Sequence, residues 1–542
     1  MTSADTTKET RQRSEASRLG FDLRTEAWVP VVTLDGARTQ VGLREVLLQA
    51  HQIRRIVGET PTMTAALHRL LLALLHRAYQ PHDDDAWSKL WHATQLPSHE
   101  LDEYLDEHED TFDLFHPQRP FLQCPQVASC GPSTAAKLVP GRSTGNNVTL
   151  FDHTIASDTV VLESAQAARW LVTLQAWDPG GMKTPYRKDK SSERAPCNYF
   201  GVVLVEGSTL KETLLLNTFR YDPRREQPRR TRPTDQPAWE APTPPGPEPD
   251  ARSPEGWTDL LTWPARRVWL STTAIDGEPH VDGVVITPGT RLRAQLDEVE
   301  LMAAFRRPTI KGKPNPKAPL VPVRLFEDRG VWRHSVEFLL PGNHHRIRPL
   351  ALDHIAQLVD ADVIGEDTVY TLRVFGQQLD KNASVIESWA EEQIPAPVAL
   401  LRATDERIGG IIGCAVDLAD QAGAALRAME RQYRAEFRAD TSVAFGFAYW
   451  PQLPKPFAVF LRDLADAYRA GRSETALAET WSTVVARTAR RAADQWAYGS
   501  PRQGRNLLIA GEHHAAFTGL LYRFQELFSA KIAAYTHPED PE

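Results

Sequence analysis

The sequence predicts an α+β fold, in which a large mixed α/β N-terminal domain (residues 19–395) precedes a C-terminal antiparallel four-helix bundle (residues 396–542). The first observation behind this prediction is length, because 542 residues exceed what one hydrophobic core usually supports. The second is the mixture of short strand-forming runs and helical segments in the first 395 residues. The third is a change after Pro397, where Ala- and Leu-rich segments with helical periodicity replace the strand formers.

Two long helices are expected in the first half of the N-terminal domain. Thr60 supplies an N-cap and Pro61 a first-turn proline for a helix that extends to about Tyr79. Residues 164–177 have the pattern of a second helix, and the sequence DPGG that follows is a sharp stop.

Two segments are predicted to lie outside the packed elements. Residues 1–18 are polar and charged without the apolar stretch of a secretory signal, which predicts a disordered N-terminal extension. Residues 222–256 are rich in proline and arginine and contain almost nothing to bury. This composition predicts a flexible loop or linker.

The remaining elements are predicted from residue type and periodicity. Short β-type runs occupy residues 265–273, 281–286, 321–325, 331–340 and 369–374. The helical segments of the bundle occupy residues 398–437, 455–469, 473–497 and 506–534.

Composition limits the class of protein. An apolar fraction of 42% is ordinary for a globular protein, and no apolar run approaches the ~18 residues that a membrane helix needs. The four cysteines are scattered without a C-x-x-C pair. This pattern disfavours a disulfide framework and a cysteine zinc site, and it is typical of a protein of the reducing cytoplasm without contact to a membrane.

The net charge of −8 disfavours a free-standing nucleic-acid binder, but the charges are unevenly distributed. Acidic residues concentrate in 82–110, whereas basic residues concentrate in three expected loops, 183–194, 220–232 and 306–317. Such loops are either simply solvated or part of a surface that meets a polyanion.

Catalytic motifs are not apparent in the sequence. It contains neither a G-x-S-x-G elbow nor a Walker A loop nor a G-x-G-x-x-G fingerprint. The pairs His344-His345 and His513-His514 suggest metal ligands, yet adjacent histidines point in divergent directions on a strand or a helix. We therefore expect surface or core histidines, no metal, no cofactor and no catalysis.

Two short stretches could approach a ligand with their backbone. The glycines of Gly180-Gly181 allow positive φ and close approach, although a helix C-cap alone would also explain them. Residues 375–389 read as two strands joined by a tight turn at residues 380–383, which is compatible with a plain hairpin.

Three blocks in the first 125 residues carry a resemblance to a known family. They read GFDLRTEAWVPV at residues 20–31, LLLALLHRA at 70–78 and FDLFHPQRPFLQ at 112–123. In this order and spacing, with matching segments further along the chain, they resemble the CasA family, the large subunits of the type I-E CRISPR surveillance complex Cascade.

The resemblance implies a protein that reads double-stranded target DNA in company with guide RNA, the other Cascade subunits and a helicase-nuclease effector. It implies that a glycine loop lies against the minor groove of the motif flanking the target (the PAM), here Gly180, Gly181, Met182 and Lys183. It implies a hairpin wedge that starts strand separation, here Lys381, Asn382 and Ala383. Asn382 stands where relatives often have glutamine. A loop that docks on guide RNA and neighbouring subunits corresponds to Asn147, Val148, Thr149, Leu150 and Phe151.

Cationic side chains are candidates for phosphate contacts within that account. Those near the expected PAM-facing loops and on the bundle are Lys311, Lys313, Lys317, Arg427, Arg431, Arg434, Arg490 and Arg491. The main alternative is a scaffold subunit that does not bind DNA, in which the bundle is a protein-binding platform and the basic loops are solvated. A metal-dependent hydrolase is a more distant alternative.

Overall fold

The computed structural model describes residues 20–140, 160–310, 313–325, 330–437, 446–499 and 504–536. The chain divides into two compact units, one formed by Met1–Ala303 with Val374–Glu391 and the other by Ala304–Arg373 with Glu392–Glu542. Helices and sheets are mixed in the chain and long helices occupy its C-terminal part, which confirms the predicted α+β class with C-terminal helices.

The first unit is built on two buried helices that the sequence predicted. Pro61–Tyr79 begins where Thr60 Oγ1 accepts the Met63 N–H at 3.2 Å and ends at Gln80, which has a left-handed backbone. Ser164–Trp177 ends at Asp178, as the DPGG stop predicted. The α-helices of this unit are Leu43–Leu48, Pro61–Tyr79, Asp84–His92, Ser98–Glu107, Ser164–Trp177, Leu210–Leu216, Trp257–Leu261 and Leu296–Val299.

The sheets of the first unit are small and mostly antiparallel. One long pairing is the hairpin of Arg266–Ile275 with Glu278–Pro288, which turns at Asp276 and Gly277, both with positive φ. The remaining strands are Val29–Thr33, Arg38–Val41, Ile53–Ile56, Ser133–Thr134, Leu162–Glu163, Gly181–Met182, Ser191–Ser192, Val202–Glu206, Ala251–Arg252 and Arg291–Leu292.

Residues 222–256 form what we call the proline-rich segment. It was predicted to be a flexible loop with almost nothing to bury, and the structure contradicts this prediction. Trp239 is 3% exposed, and its ring lies 5.4 Å from that of Phe112 between centroids. Asp235 is 2% exposed and accepts hydrogen bonds from the backbone N–H groups of Thr258 and Asp259. Composition misled because a few buried side chains outweigh many exposed prolines and arginines in fixing a segment.

The second unit contains residues 304–373, which the sequence prediction assigned to the N-terminal domain. Here Trp332 is buried against helix side chains, with its ring centroid 4.7 Å from that of Phe457 and 6.0 Å from that of Trp481. Burial of so large an aromatic surface groups this stretch with the C-terminal helices.

Residues 331–340 were predicted as a strand, and this was wrong. They form the 3₁₀-helix Val331–His334 and the α-helix Ser335–Leu339. Val331 to Ser335 are buried in an unbroken run, and Phe338 to Leu340 are buried as well, so the stretch lacks the alternation of a half-buried strand.

The other elements of the second unit are short strands and long helices. The strands are Phe305–Arg306, Thr309–Ile310, Lys313–Pro314, Val321–Pro322 and Arg346–Ile347. The α-helices besides Ser335–Leu339 are Leu350–Asp360, Val398–Leu401, Glu406–Glu436, Gly446–Tyr449, Pro454–Arg469, Thr475–Gly499 and Gly504–Thr536. None of the helices in the described ranges has both the length and the hydropathy of a bilayer-spanning segment.

Candidate nucleic-acid interface

The glycine turn, residues 178–183, follows directly on the helix Ser164–Trp177. Gly181 has φ +102°, a left-handed backbone that favours glycine. Gly181 and Met182 pair with Ser191 and Ser192 in a short antiparallel ladder. The side chain of Met182 is 76% exposed, so the turn presents an apolar side chain to solvent.

Lys183 does not extend to solvent from this turn. Its ammonium lies 2.6 Å from the partly buried carboxylate of Asp178, which also lies 2.5 Å from the guanidinium of Arg266. Burial alone would raise the pKa of Asp178, but the two cations outweigh burial and hold that pKa below its ordinary value. Lys183 therefore helps to fix the shape of the turn.

The predicted hairpin is present, with strands Val369–Leu379 and Ile386–Pro397. At its tip, residues 380–385, the Asp380 carboxylate accepts the backbone N–H groups of Val385 at 2.8 Å, Ser384 at 2.7 Å and Asn382 at 3.2 Å. These bonds lower the pKa of Asp380. Ala383 has φ +54°, whereas Lys381 and Asn382 are exposed. The carboxylate thus shapes a tight tip from which two polar side chains project.

The structure brings the glycine turn and the hairpin tip together, and we call the combined feature the turn–hairpin junction. The Gly180 N–H donates a hydrogen bond to the Ala383 carbonyl at 2.8 Å. A Cβ on Gly180 would lie 3.2 Å from that carbonyl oxygen, and one on Gly181 would lie 3.3 Å from the Ser384 Cβ. The missing side chains therefore allow the two backbones to approach, a use of the glycines that the sequence did not indicate.

Gln377 anchors the hairpin to the end of the helix, and sequence reasoning missed it. Its Nε2 donates to the Trp177 carbonyl at 3.0 Å and to Asn198 Oδ1 at 2.9 Å. Its Oε1 accepts the indole N–H of Trp389 at 2.9 Å. Strand alternation puts Gln377 on the same face as the buried Phe375, so a polar residue at an apolar position was the available signal.

The predicted docking loop, Asn147 to Phe151, lies outside the described residues, as does Lys311. Lys313 belongs to the strand Lys313–Pro314, and Lys317 is exposed. These lysines belong to the second unit and not to the unit that holds the junction.

The helix arginines also belong to the second unit. Arg427, Arg431 and Arg491 are exposed. Arg434 pairs with Glu430 at 2.6 Å, and Arg490 lies over the Tyr522 ring at 4.7 Å. Three of the five predicted helix cations are thus directly accessible.

The histidine pairs have ordinary surroundings. His344 and His345 are exposed, His513 meets the Tyr433 ring edge-on, and His514 Nε2 lies 2.8 Å from Asp494 Oδ1. In the part of the chain that the structure describes, no three His, Cys, Asp or Glu side chains are grouped to hold a metal ion.

Comparison with known proteins identifies relatives. The family model of CRISPR-associated protein Cse1 matches residues 22–492. The CasA/Cse1 protein of Thermus thermophilus is 34% identical over 387 residues, which are 70% of this chain and 72% of the relative. The crystal structure of Thermobifida fusca Cse1 superposes with a TM-score of 0.79 at 27% identity, covering 95% of this chain and 99% of that one. A chain of a CRISPR RNA-guided surveillance complex has a TM-score of 0.72 at 22% identity, covering 92% and 99%, and this supports the fold alone.

Proposed function

The chain belongs to the CRISPR-associated Cse1 family, also called CasA, and on this premise we propose that it is the large subunit of an RNA-guided surveillance complex. In that role it recognises the PAM beside a target in double-stranded DNA and starts strand separation. Its partners are guide RNA, the other subunits of the complex and a helicase-nuclease effector. The chain itself carries out no chemistry.

The hydrogen bond between the Gly180 N–H and the Ala383 carbonyl is the observation that supports this proposal most. It joins the two segments that have to act on adjacent base pairs, one as the reader and one as the wedge. The minor groove of B-DNA is about 6 Å wide, so backbone and small side chains enter it where bulky ones clash. Gly180, Gly181 and Met182 form the reader in this proposal, and Lys183 holds their shape from behind through Asp178.

Readout in the minor groove limits how selective the reader is. The groove distinguishes mainly A·T from G·C pairs, so we expect several related motifs to be accepted. The sequence of the target itself is read by pairing with the guide, as in other RNA-guided effectors.

The wedge acts at the next base step. Lys381 and Asn382 project from a tip whose backbone is fixed by Asp380. Insertion of the Asn382 amide unstacks a base step at a cost of roughly a few kcal/mol, which groove contacts and the first guide pairs offset. A rigid tip loses little conformational freedom on insertion, which favours the open DNA.

Other predicted contacts position the DNA without reading it. In our proposal Lys311, Lys313 and Lys317 contact phosphates near the motif, and the bundle arginines follow the displaced DNA. The loop Asn147–Phe151 docks on guide RNA and neighbouring subunits. These assignments follow from the family.

The proposal is tested by duplex binding of the guide-loaded complex with and without this chain, at about 150 mM salt. Two duplexes share the full guide-complementary sequence, and one has a scrambled motif. We expect a large gain in affinity that requires both the chain and the intact motif, and that falls in the double variant Lys381→Ala, Asn382→Ala. Equal binding with and without the chain would leave a scaffold that does not contact DNA.

A further inference from the structure

A cavity of about 220 Å³ lies beside the glycine turn, in the same compact unit. One wall is formed by residues 191–194, whose first two residues pair with Gly181 and Met182. Ser191, Glu193 and Arg293 at its edge are exposed, so the cavity opens to solvent. A water molecule occupies about 30 Å³ in the liquid, so there is room for a phosphate group with some of its hydration.

The cavity is lined by four arginines, of which three are already paired. Arg266 lies 2.5 Å from Asp178, Arg291 lies 2.5 Å from Asp189, and Arg293 lies 3.1 Å from Glu193. These pairs neutralise most of the cationic charge and leave little of it for a ligand.

Arg194 differs from the other three. Its guanidinium lies over the Tyr199 ring at 4.0 Å from the centroid, and none of the ion pairs formed among the described residues includes it. The side chain is partly buried. Stacking uses the face of a guanidinium and leaves its N–H edge available, which is the geometry that recognises phosphate oxygens.

Arg194 is also tied to the glycine turn by its backbone. A Cβ on Gly180 would lie 3.2 Å from the backbone nitrogen of Arg194, so the two residues are in close contact. A duplex whose minor groove faces Gly180 therefore has its phosphates within the neighbourhood of this side chain. Lys183, the cation that the sequence suggested at this place, is turned toward Asp178.

We propose that the Arg194–Tyr199 pair and the cavity it lines form a binding site for a phosphodiester group of the target duplex next to the PAM. This inference rests on the proposed function, because it places the duplex against the glycine turn. The site positions the DNA and carries no sequence information of its own.

The test is the salt dependence of duplex binding by the guide-loaded complex containing the full chain. Loss of one phosphate contact lowers the slope of log affinity against log salt by about 0.9. We expect Arg194→Ala to show this change and to weaken binding roughly tenfold, for intact and scrambled motifs alike. Arg194→Lys retains the charge and should keep the slope while losing part of the affinity.

Arg187→Ala is the matched control, because Arg187 is an exposed arginine of the same loop that pairs with Glu248 at 3.0 Å. It should leave the slope unchanged. A thermal unfolding midpoint of Arg194→Ala close to that of the parent excludes misfolding as the cause, and if Arg194→Ala misfolds, Arg194→Lys and Tyr199→Leu carry the comparison.

Three outcomes separate the two proposals. An unchanged slope for Arg194→Ala, while the parent still prefers the intact motif, overturns the phosphate site alone. A defect in assembly with guide RNA in the absence of target overturns it in favour of an RNA phosphate. A parent complex without any motif preference overturns the proposed function itself.

Discussion

The turn–hairpin junction and the proline-rich segment both consist largely of turns, yet they are held in different ways. In the proline-rich segment the buried groups are at the centre. Trp239 packs among aromatic rings, and the Asp235 carboxylate accepts N–H groups at the N-terminus of the helix Trp257–Leu261. In the junction the buried group, Gln377, lies at the base, and the tip at Asn382 is exposed. The first arrangement contributes stability, whereas the second leaves a rigid tip available for a ligand.

The largest effect on the free energy of unfolding is expected from Trp239→Ala. It removes an indole that is 3% exposed and that donates to the Tyr104 hydroxyl at 2.7 Å. The free energy of unfolding should fall by about 3–5 kcal/mol, as measured by urea denaturation. Motif preference at a temperature where the variant is folded should persist. Arg229→Ala, at an exposed position of the same segment, is the control and should change stability by less than about 0.5 kcal/mol.

The next effect is a pH dependence of stability at His76, whose partner Phe219 lies just before the proline-rich segment. His76 Nδ1 donates to the Leu72 carbonyl at 2.7 Å, and its Nε2 accepts the Phe219 N–H at 3.2 Å, which requires the neutral ring. Burial lowers the pKa of His76 to about 4, against about 6.5 in the unfolded chain. The unfolded state therefore binds more protons between these values, and stability falls as pH decreases from about 6.5 to about 4.

The loss over this interval should be about 3 kcal/mol, to be measured by denaturant titration at each pH. In His76→Gln the dependence between pH about 6.5 and about 4 should become shallower, because position 76 no longer carries a group that gains a proton on unfolding. An equal pH dependence in this variant would assign the effect to another group.

A smaller loss of stability, with a larger loss of function, is expected from Gln377→Leu. The change leaves Asn198 Oδ1 and the Trp389 indole N–H without this partner, whereas the Trp177 carbonyl keeps its bond from Asn198 Nδ2, and the cost should be about 1–3 kcal/mol. Because the base of the hairpin shifts, we expect weaker unstacking of the first target base pair, seen as reduced fluorescence of a 2-aminopurine placed there. Gln378→Ala is the control, since Gln378 bonds the exposed Glu387. A normal fluorescence signal in Gln377→Leu would show that the anchor does not position the wedge.

The difference between the two regions also explains which structural features could be predicted from the sequence. Caps, stops and turns are local, so the helix Pro61–Tyr79, the stop after Trp177 and the hairpin were predicted correctly. Contacts between distant residues are not encoded locally. The bond from Gly180 to Ala383 joins segments about 200 positions apart, and the burial of Trp239 depends on Phe112. The sequence shows that Lys183 is a cation. It does not show that the side chain turns away from solvent, because this depends on the ion pair with Asp178, which also binds Arg266.

The smallest effect on stability is expected at the tip itself. Asp380→Ala removes the acceptor of three backbone N–H groups, but these lie at the surface and can bond water instead. The unfolding midpoint should therefore hardly change, whereas the preference for the intact motif should fall several-fold because the tip loses its fixed shape. Asp380→Asn keeps one acceptor oxygen, so its preference for the intact motif should lie between that of the parent and that of Asp380→Ala. If Asp380→Ala instead lost as much stability as Trp239→Ala, the tip would be part of the core, and the separation between a stabilising segment and an exposed reading element would not hold.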